Sequence, residues 1–138
     1  MDEIPHKYRG IFVDIISLMA HSSVHKNWSL KGVIRLTIPP LMLNQCRVFK
    51  KNGKTIAYIS WANLTKKAAD GYINDTRKLQ PQDWNAGTEL WVIDFIAPYG
   101  GVSEIVRKAK QISGRPIKSK RFKDGTICGI NGKILRKL

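Results

Sequence analysis

Acidic residues are scarce: ten Asp and Glu stand against 24 Lys and Arg in 138 residues, a net charge of +14. That imbalance disfavours a cationic partner and points to an acidic one, whether nucleic acid, an anionic membrane or an acidic protein. Cysteine is nearly absent. Cys46 and Cys128 are too few and too far apart for a disulfide framework, so free thiols in a reducing compartment are expected. No apolar run is long enough to cross a bilayer, since the stretch from Ile11 to Ala20 is short and carries Asp14. The opening Met1-Asp2-Glu3 has the wrong sign for a secretory signal. These features predict a cytoplasmic protein without a membrane span. Neither nucleotide-binding glycine fingerprint occurs, and there is no repeat, linker or low-complexity segment.

The hydrophobic content is 43%, enough for a folded core, and the length suits one domain covering residues 1–138. Positive charge is concentrated at the end: from Arg107 to Leu138 there are eleven basic residues and one acid, Asp124. That segment reads either as a solvated tail or as a docking surface.

Ile11, Phe12, Ile15, Ile16 and Met19 recur at helical spacing, which predicts an amphipathic helix over about residues 8–20. Val33 to Ile38 alternates like a strand, and Pro39-Pro40 then marks a turn that rules out one continuous helix through this region. Asn52-Gly53 between two β-rich runs, residues 45–49 and 55–61, predicts a hairpin. Asn63 or Thr65 can cap a helix reaching about Asn74. Residues 81–87 read as a loop, 89–96 as a strand apolar on both faces, and 102–112 as a helix. Strands are expected near 117–122 and 126–130, with turn signals at Asp124-Gly125 and Asn131-Gly132. The order of elements predicts an α+β fold with helices flanking a sheet.

Chemistry concentrates in two places. His25 follows the first helix, with Ser22 and Asn27 beside it as hydrogen-bond partners and Trp28 as a desolvating wall. A histidine titrates near working pH and suits general-base work, although a single loop histidine is more often structural. Asp94 is the one carboxylate in Val92-Ile93-Asp94-Phe95-Ile96, and a charge in such a strand needs a structural or functional partner. After it, Ala97-Pro98-Tyr99-Gly100-Gly101 joins strand to helix, where glycine backbone can approach a phosphate. His21 and His25, four apart, invite a metal reading, but neither cysteine stands in a paired ligand spacing and no metal site is expected.

Taken together, these residues resemble the bacterial toxin-activating lysine acyltransferases, which fatty-acylate internal lysines of RTX protoxins. The resemblance rests on Ser22 to Trp28, Asn44-Gln45, Ala57-Tyr58-Ile59-Ser60-Trp61-Ala62-Asn63-Leu64, Tyr72-Ile73-Asn74-Asp75, Asp83-Trp84 and Trp91 to Gly100. These blocks occur in order over about residues 10–110; Lys26 and Val24 depart from the usual pattern, and agreement thins toward the basic end. The resemblance implies a mixed sheet similar to the Gcn5-related N-acetyltransferases. It also implies acyl-acyl carrier protein as co-substrate with no bound cofactor, and an RTX-type protoxin as acceptor. Catalytic roles then fall on His25 and Asp94, supporting roles on Ser22 and Asn27, and the acyl-donor loop on Pro98, Tyr99, Gly100 and Gly101. A homodimer is compatible with it. Two alternatives stand beside it: a lysine acyltransferase with a non-toxin target, and a basic nucleic-acid-binding domain. The latter is disfavoured because the aromatics sit in strand-like blocks rather than in an RNA-recognition pattern.

Overall fold

The computed structural model describes residues 4–113, 118–120, 126–129 and 134–137. They fall into two compact units, one of residues up to 60 with 94–101, the other of residues 61–93 with those from 102 onward.

The first unit begins with α1 (His6–Ala20), the amphipathic helix expected from its spacing, which buries Ile15, Leu18 and Met19. The next element corrects the expectation for residues 33–40. Instead of a strand and a turn, Leu30–Met42 is a helix, α2, with Pro39 and Pro40 inside it. Each proline removes one main-chain donor and disfavours helical backbone before it. Packing outweighs that loss, because Val33, Thr37, Ile38, Pro40 and Leu41 are all buried. Their spacing of three and four was a helical signal that the prolines masked. Ser29 caps the start, its hydroxyl accepting from Gly32 N–H at 3.0 Å. Asn44 ends the helix in the left-handed region (φ 56°), and the N–H groups of Gln45 and Asn44 close on the carbonyls of Pro40 and Leu41.

A hairpin follows. Strands β1 (Cys46–Lys51) and β2 (Lys54–Leu64) pair antiparallel, with Cys46 opposite Ser60 and Val48 opposite Tyr58. The turn sits where it was expected, with Asn52 and Gly53 at φ 52° and 78°, the pair of positive values a two-residue hairpin requires. One cluster then forms the core of this unit: Ile15, Leu18, Met19, Val33, Leu41, Tyr58 and Ile96, with Phe12, Trp28, Cys46 and Val48 packed against it.

In the second unit α3 (Lys66–Ile73) is capped by Thr65, whose hydroxyl accepts from Ala68 N–H at 3.1 Å. Asp75 (φ 55°) ends it with the same left-handed closure, through N–H bonds from Thr76 to Gly71 and from Asp75 to Tyr72. Within residues 81–87 there is a short 3-10 turn, Pro81–Asp83. There Asp83 accepts from Arg77 at 2.7 Å and from Gln80 N–H at 2.8 Å. The carbonyl of Asn63 receives the N–H groups of Ala86 and Gly87. A side chain at Gly87 would lie 2.2 Å from the Leu64 carbonyl oxygen, so only glycine fits. Strand β3 (Glu89–Ile96) is buried along nearly its whole length, as an apolar run on both faces predicts. Helix α4 (Val102–Ser113) follows it. Strand β4 (Lys118–Lys120) pairs parallel with β3, β5 (Thr126–Gly129) antiparallel with β4, and β6 (Ile134–Lys137) antiparallel with β5. The chain is thus α+β with both parallel and antiparallel pairings. Strand β6 was not foreseen, although Asn131-Gly132 had marked a turn ahead of it. The side chains of the basic segment beyond residue 111 lie outside the described residues.

Candidate active site

Helix α1 stops at His21 and the chain turns tightly through residues 22–28, closed by Lys26 N–H to Ser22 C=O at 3.0 Å and Trp28 N–H to His25 C=O at 2.9 Å. The turn carries the His25 ring inward, where it is buried and packs on Trp28 with ring centroids 4.4 Å apart. Strand β3 supplies Asp94, also buried. The His25 Nε2 lies 2.6 Å from Asp94 Oδ1, and the opposite ring nitrogen, Nδ1, lies 2.6 Å from Ser22 Oγ.

Chemistry fixes the proton positions. A carboxylate only accepts, so Nε2–H donates to Asp94; in the neutral ring Nδ1 is then a lone pair that accepts from the Ser22 hydroxyl. Asp94 Oδ1 is held in place a second time by the N–H of Phe95 at 3.1 Å. The other oxygen, Oδ2, is buried without a hydrogen-bonding partner among the described residues. A buried carboxylate oxygen left open is costly unless something charged or hydrogen-donating comes to it. The arrangement therefore offers two things together: a base at Nδ1 and a carboxylate to stabilise the imidazolium.

The sequence reading named His25, Asp94 and Ser22, and the structure brings the three into one hydrogen-bonded chain. Trp28 is the wall expected of it. Asn27 is exposed, and both ring nitrogens of His25 are already engaged without it. The loop Pro98-Tyr99-Gly100-Gly101 leaves the end of β3, with Gly100 and Gly101 at φ 89° and 74° and open space where side chains would point. The Lys54 ammonium sits 4.0 Å above the Tyr99 ring, and the His21 ring is 5.9 Å from it. His21 itself donates from Nδ1 to Ser17 C=O at 3.0 Å. Among the described residues no three His, Cys, Asp or Glu side chains are grouped to hold a metal.

What the sequence reading missed lies behind the site. Tyr58 and Ser60 alternate on β2, and Tyr58 shares its core cluster with Ile96, two residues beyond Asp94. Burial pushes the Tyr58 hydroxyl well above its usual range, with the charges of Cys46 and Asp94 adding to the rise and the Ser60 hydroxyl opposing it. Burial likewise pushes the Cys46 thiol up to about 11, against the pull of Arg47. The signal was the period-two pattern of residues 58, 60 and 62, read only as strand.

Comparison with known proteins identifies the family. The RTX toxin acyltransferase family matches residues 4–129. Similar proteins include the RTX-II toxin-activating lysine-acyltransferase ApxIIC of Actinobacillus pleuropneumoniae, 37% identical over 136 residues, covering 94% of this chain and 85% of that one. The protein-lysine myristoyltransferase RtxC of Kingella kingae is 39% identical over 124 residues, 85% of this chain and 69% of its own. The protein-lysine myristoyltransferase HlyC of Escherichia coli is 36% identical over 83 residues, 60% of this chain and 49% of its own. With the family matching residues 4–129 and relatives such as ApxIIC 37% identical across 94% of the chain, this protein belongs to the RTX toxin acyltransferase family.

Proposed function

We propose that this protein moves a fatty-acyl chain from acyl carrier protein to an internal lysine of an RTX-type protoxin. The observation that carries the reading is the His25 ring held between Ser22 and Asp94 at 2.6 Å on each side. Family membership supports it, as do the activities for which the relatives are named, lysine acylation and myristoylation. Residues 1–138 act in this reading as one acyltransferase domain with a fold like the Gcn5-related N-acetyltransferases. The protein works in the bacterial cytoplasm, where acyl carrier protein is found.

The acceptor lysine arrives as an ammonium, because its ordinary pKa is about 10.4. The negative charge of Asp94 favours the approach of that cation to the site. Ser22 passes a proton from the amine to His25 Nδ1, and the imidazolium that forms is stabilised by Asp94 through Nε2–H. The neutral amine attacks the thioester carbonyl, the carbon–nitrogen bond forms, and the carbon–sulfur bond breaks. Of the two protons the ammonium loses, one returns to the departing thiolate and the other leaves to solvent. The Tyr99 ring with its Lys54 cation and the open Gly100-Gly101 backbone supply a cationic, accessible loop for the phosphate of the carrier's prosthetic arm.

The Ser22 hydrogen bond supports a second reading: Ser22 Oγ, deprotonated by His25, attacks the thioester first and the lysine then resolves the acyl-serine. Mixing enzyme with acyl carrier donor alone, without acceptor, separates the two. An acyl mass on the Ser22 peptide supports the covalent route, and its absence under turnover conditions supports direct transfer. The reading as a whole is tested by His25→Ala in an acylation assay on a protoxin fragment. Loss of lysine acylation with an unchanged circular dichroism spectrum supports it, and full activity overturns it.

A further inference from the structure

No Asp or Glu occurs between Asp14 and Asp70, and this stretch contains both His25 and the whole of α2. In the unit that holds the site, the described residues include nine Lys or Arg and only two acids, of which Asp94 is buried in the site and Asp14 is paired with Lys50 at 3.5 Å. The exposed charge of this unit is thus almost uniformly positive. Its surface is also unusually apolar at one place. Val24, Leu30 and Ile34 are 56%, 82% and 44% exposed. Leu30 and Ile34 lie four apart and share one face of α2, with Lys31 and Arg35 next to them around the helix. Lys26 is exposed in the turn between His25 and the helix. Local physics opposes this choice of residues. A leucine at the first helical position gains nothing from solvent, and Lys31 stands in a first turn where a cation opposes the helix dipole and no acid offsets it.

We propose that Val24, Lys26, Leu30, Lys31, Ile34 and Arg35 form the docking surface for the acidic carrier that delivers the acyl chain. The proposal rests on the acyl-transfer reading above. Charge complementarity selects this occupant. A second copy of this chain would bring the same cations to the surface, whereas an acidic protein is steered in and its apolar side chains cover the exposed aliphatics. Position agrees: Val24 and Lys26 flank His25 in the turn that carries its ring, and the chain runs from there directly into α2.

The test compares wild-type protein with Lys31→Glu/Arg35→Glu and with Leu30→Ser/Ile34→Ser, measuring initial rates of acylation of a protoxin fragment while acyl carrier protein and fragment are varied separately. In both variants the KM for acyl carrier protein is expected to rise at least tenfold, with kcat and the KM for the fragment within twofold of wild type. The charge-reversed variant should also lose most of the salt sensitivity of kcat/KM. An unchanged carrier KM overturns the proposal, as does a rise in the fragment KM alone, which assigns the surface to the acceptor. A shift in oligomeric state by light scattering that parallels the lost activity overturns it too, in favour of a self-association face. The underlying reading fails separately, and visibly: wild-type protein would then transfer nothing from acyl carrier protein.

Discussion

Replacing Asp94 by asparagine isolates the one charge in the site while keeping its shape. The amide oxygen can still accept from His25 Nε2–H and from Phe95 N–H, the two donors that now converge on Oδ1. The tautomer and ring position should therefore survive. What disappears is the attraction between the carboxylate and the imidazolium formed when His25 takes a proton. With Nε2 and Oδ1 2.6 Å apart, the charge centres lie roughly 4 Å apart, and at an effective dielectric of about 20 their interaction is about 4 kcal/mol. Converted at 1.36 kcal/mol per tenfold change, that is about three orders of magnitude in kcat. Stability should move the other way or not at all, since a buried carboxylate with one oxygen unpartnered is exchanged for a neutral amide. The assay is single-turnover transfer of a labelled acyl chain to a protoxin fragment, run alongside thermal unfolding. A loss of less than tenfold in rate refutes the electrostatic argument. A large loss accompanied by a fall in Tm refutes it as well, because Asp94 would then be a structural brace.

Three further outcomes follow from the same geometry. Ser22→Ala removes the group on His25 Nδ1 and should lower kcat about a hundredfold with little change in the KM for either substrate; unchanged kcat would mean that the lysine reaches Nδ1 unaided. Thr37→Val replaces a fully buried hydroxyl that has no hydrogen-bonding partner among the described residues, and should raise unfolding stability by about 1 kcal/mol in urea denaturation; a loss of that size would show that the hydroxyl is satisfied in solution. In a Cys128→Ser background, Cys46, its thiol raised to about 11, should react with iodoacetamide at pH 8 on the order of a hundredfold more slowly than a free thiol, speeding up about tenfold per pH unit up to that value. The sign carries over to stability. Between pH 9 and 11 the unfolded chain releases the thiol proton while the folded chain holds it, so stability is complete below about 9 and falls as pH rises through that window.

Much of this was legible before the structure, for identifiable reasons. The hairpin at Asn52-Gly53 and the helix capped by Thr65 depend on local chemistry, which a few adjacent residues determine. His25 and Asp94 were legible as types, a histidine after a helix and a carboxylate in an apolar strand. That they meet depends on contacts 69 positions apart, which no periodicity encodes. Helix α2 was misread because proline is a strong local signal, while the burial that overrides it belongs to tertiary packing. The blocks around Asn44 and Asp75 show the reverse case. They carried the family resemblance without an evident purpose, and the structure shows both residues in left-handed backbone at helix ends. The Asp83-Trp84 block is likewise architectural, holding Arg77 and the loop that closes on Asn63.

The division of labour inside the site follows from this. Several recognisable motif residues build backbone turns, and the proposed chemistry falls on three side chains, two of which, Ser22 and His25, come from one tight turn. A seven-residue turn closed by its own hydrogen bonds fixes the Ser22–His25 distance locally, whereas Asp94 must be delivered by the strand. Substitutions in the core that shift β3 by even half an ångström should therefore weaken the His25–Asp94 bond while leaving the Ser22–His25 bond intact. Such variants would keep whatever chemistry the Ser22–His25 pair performs alone and lose what the carboxylate adds. On the proposed mechanism, that separation would give Asp94 the part of orienting the base and stabilising its charged form, and leave proton movement to Ser22 and His25.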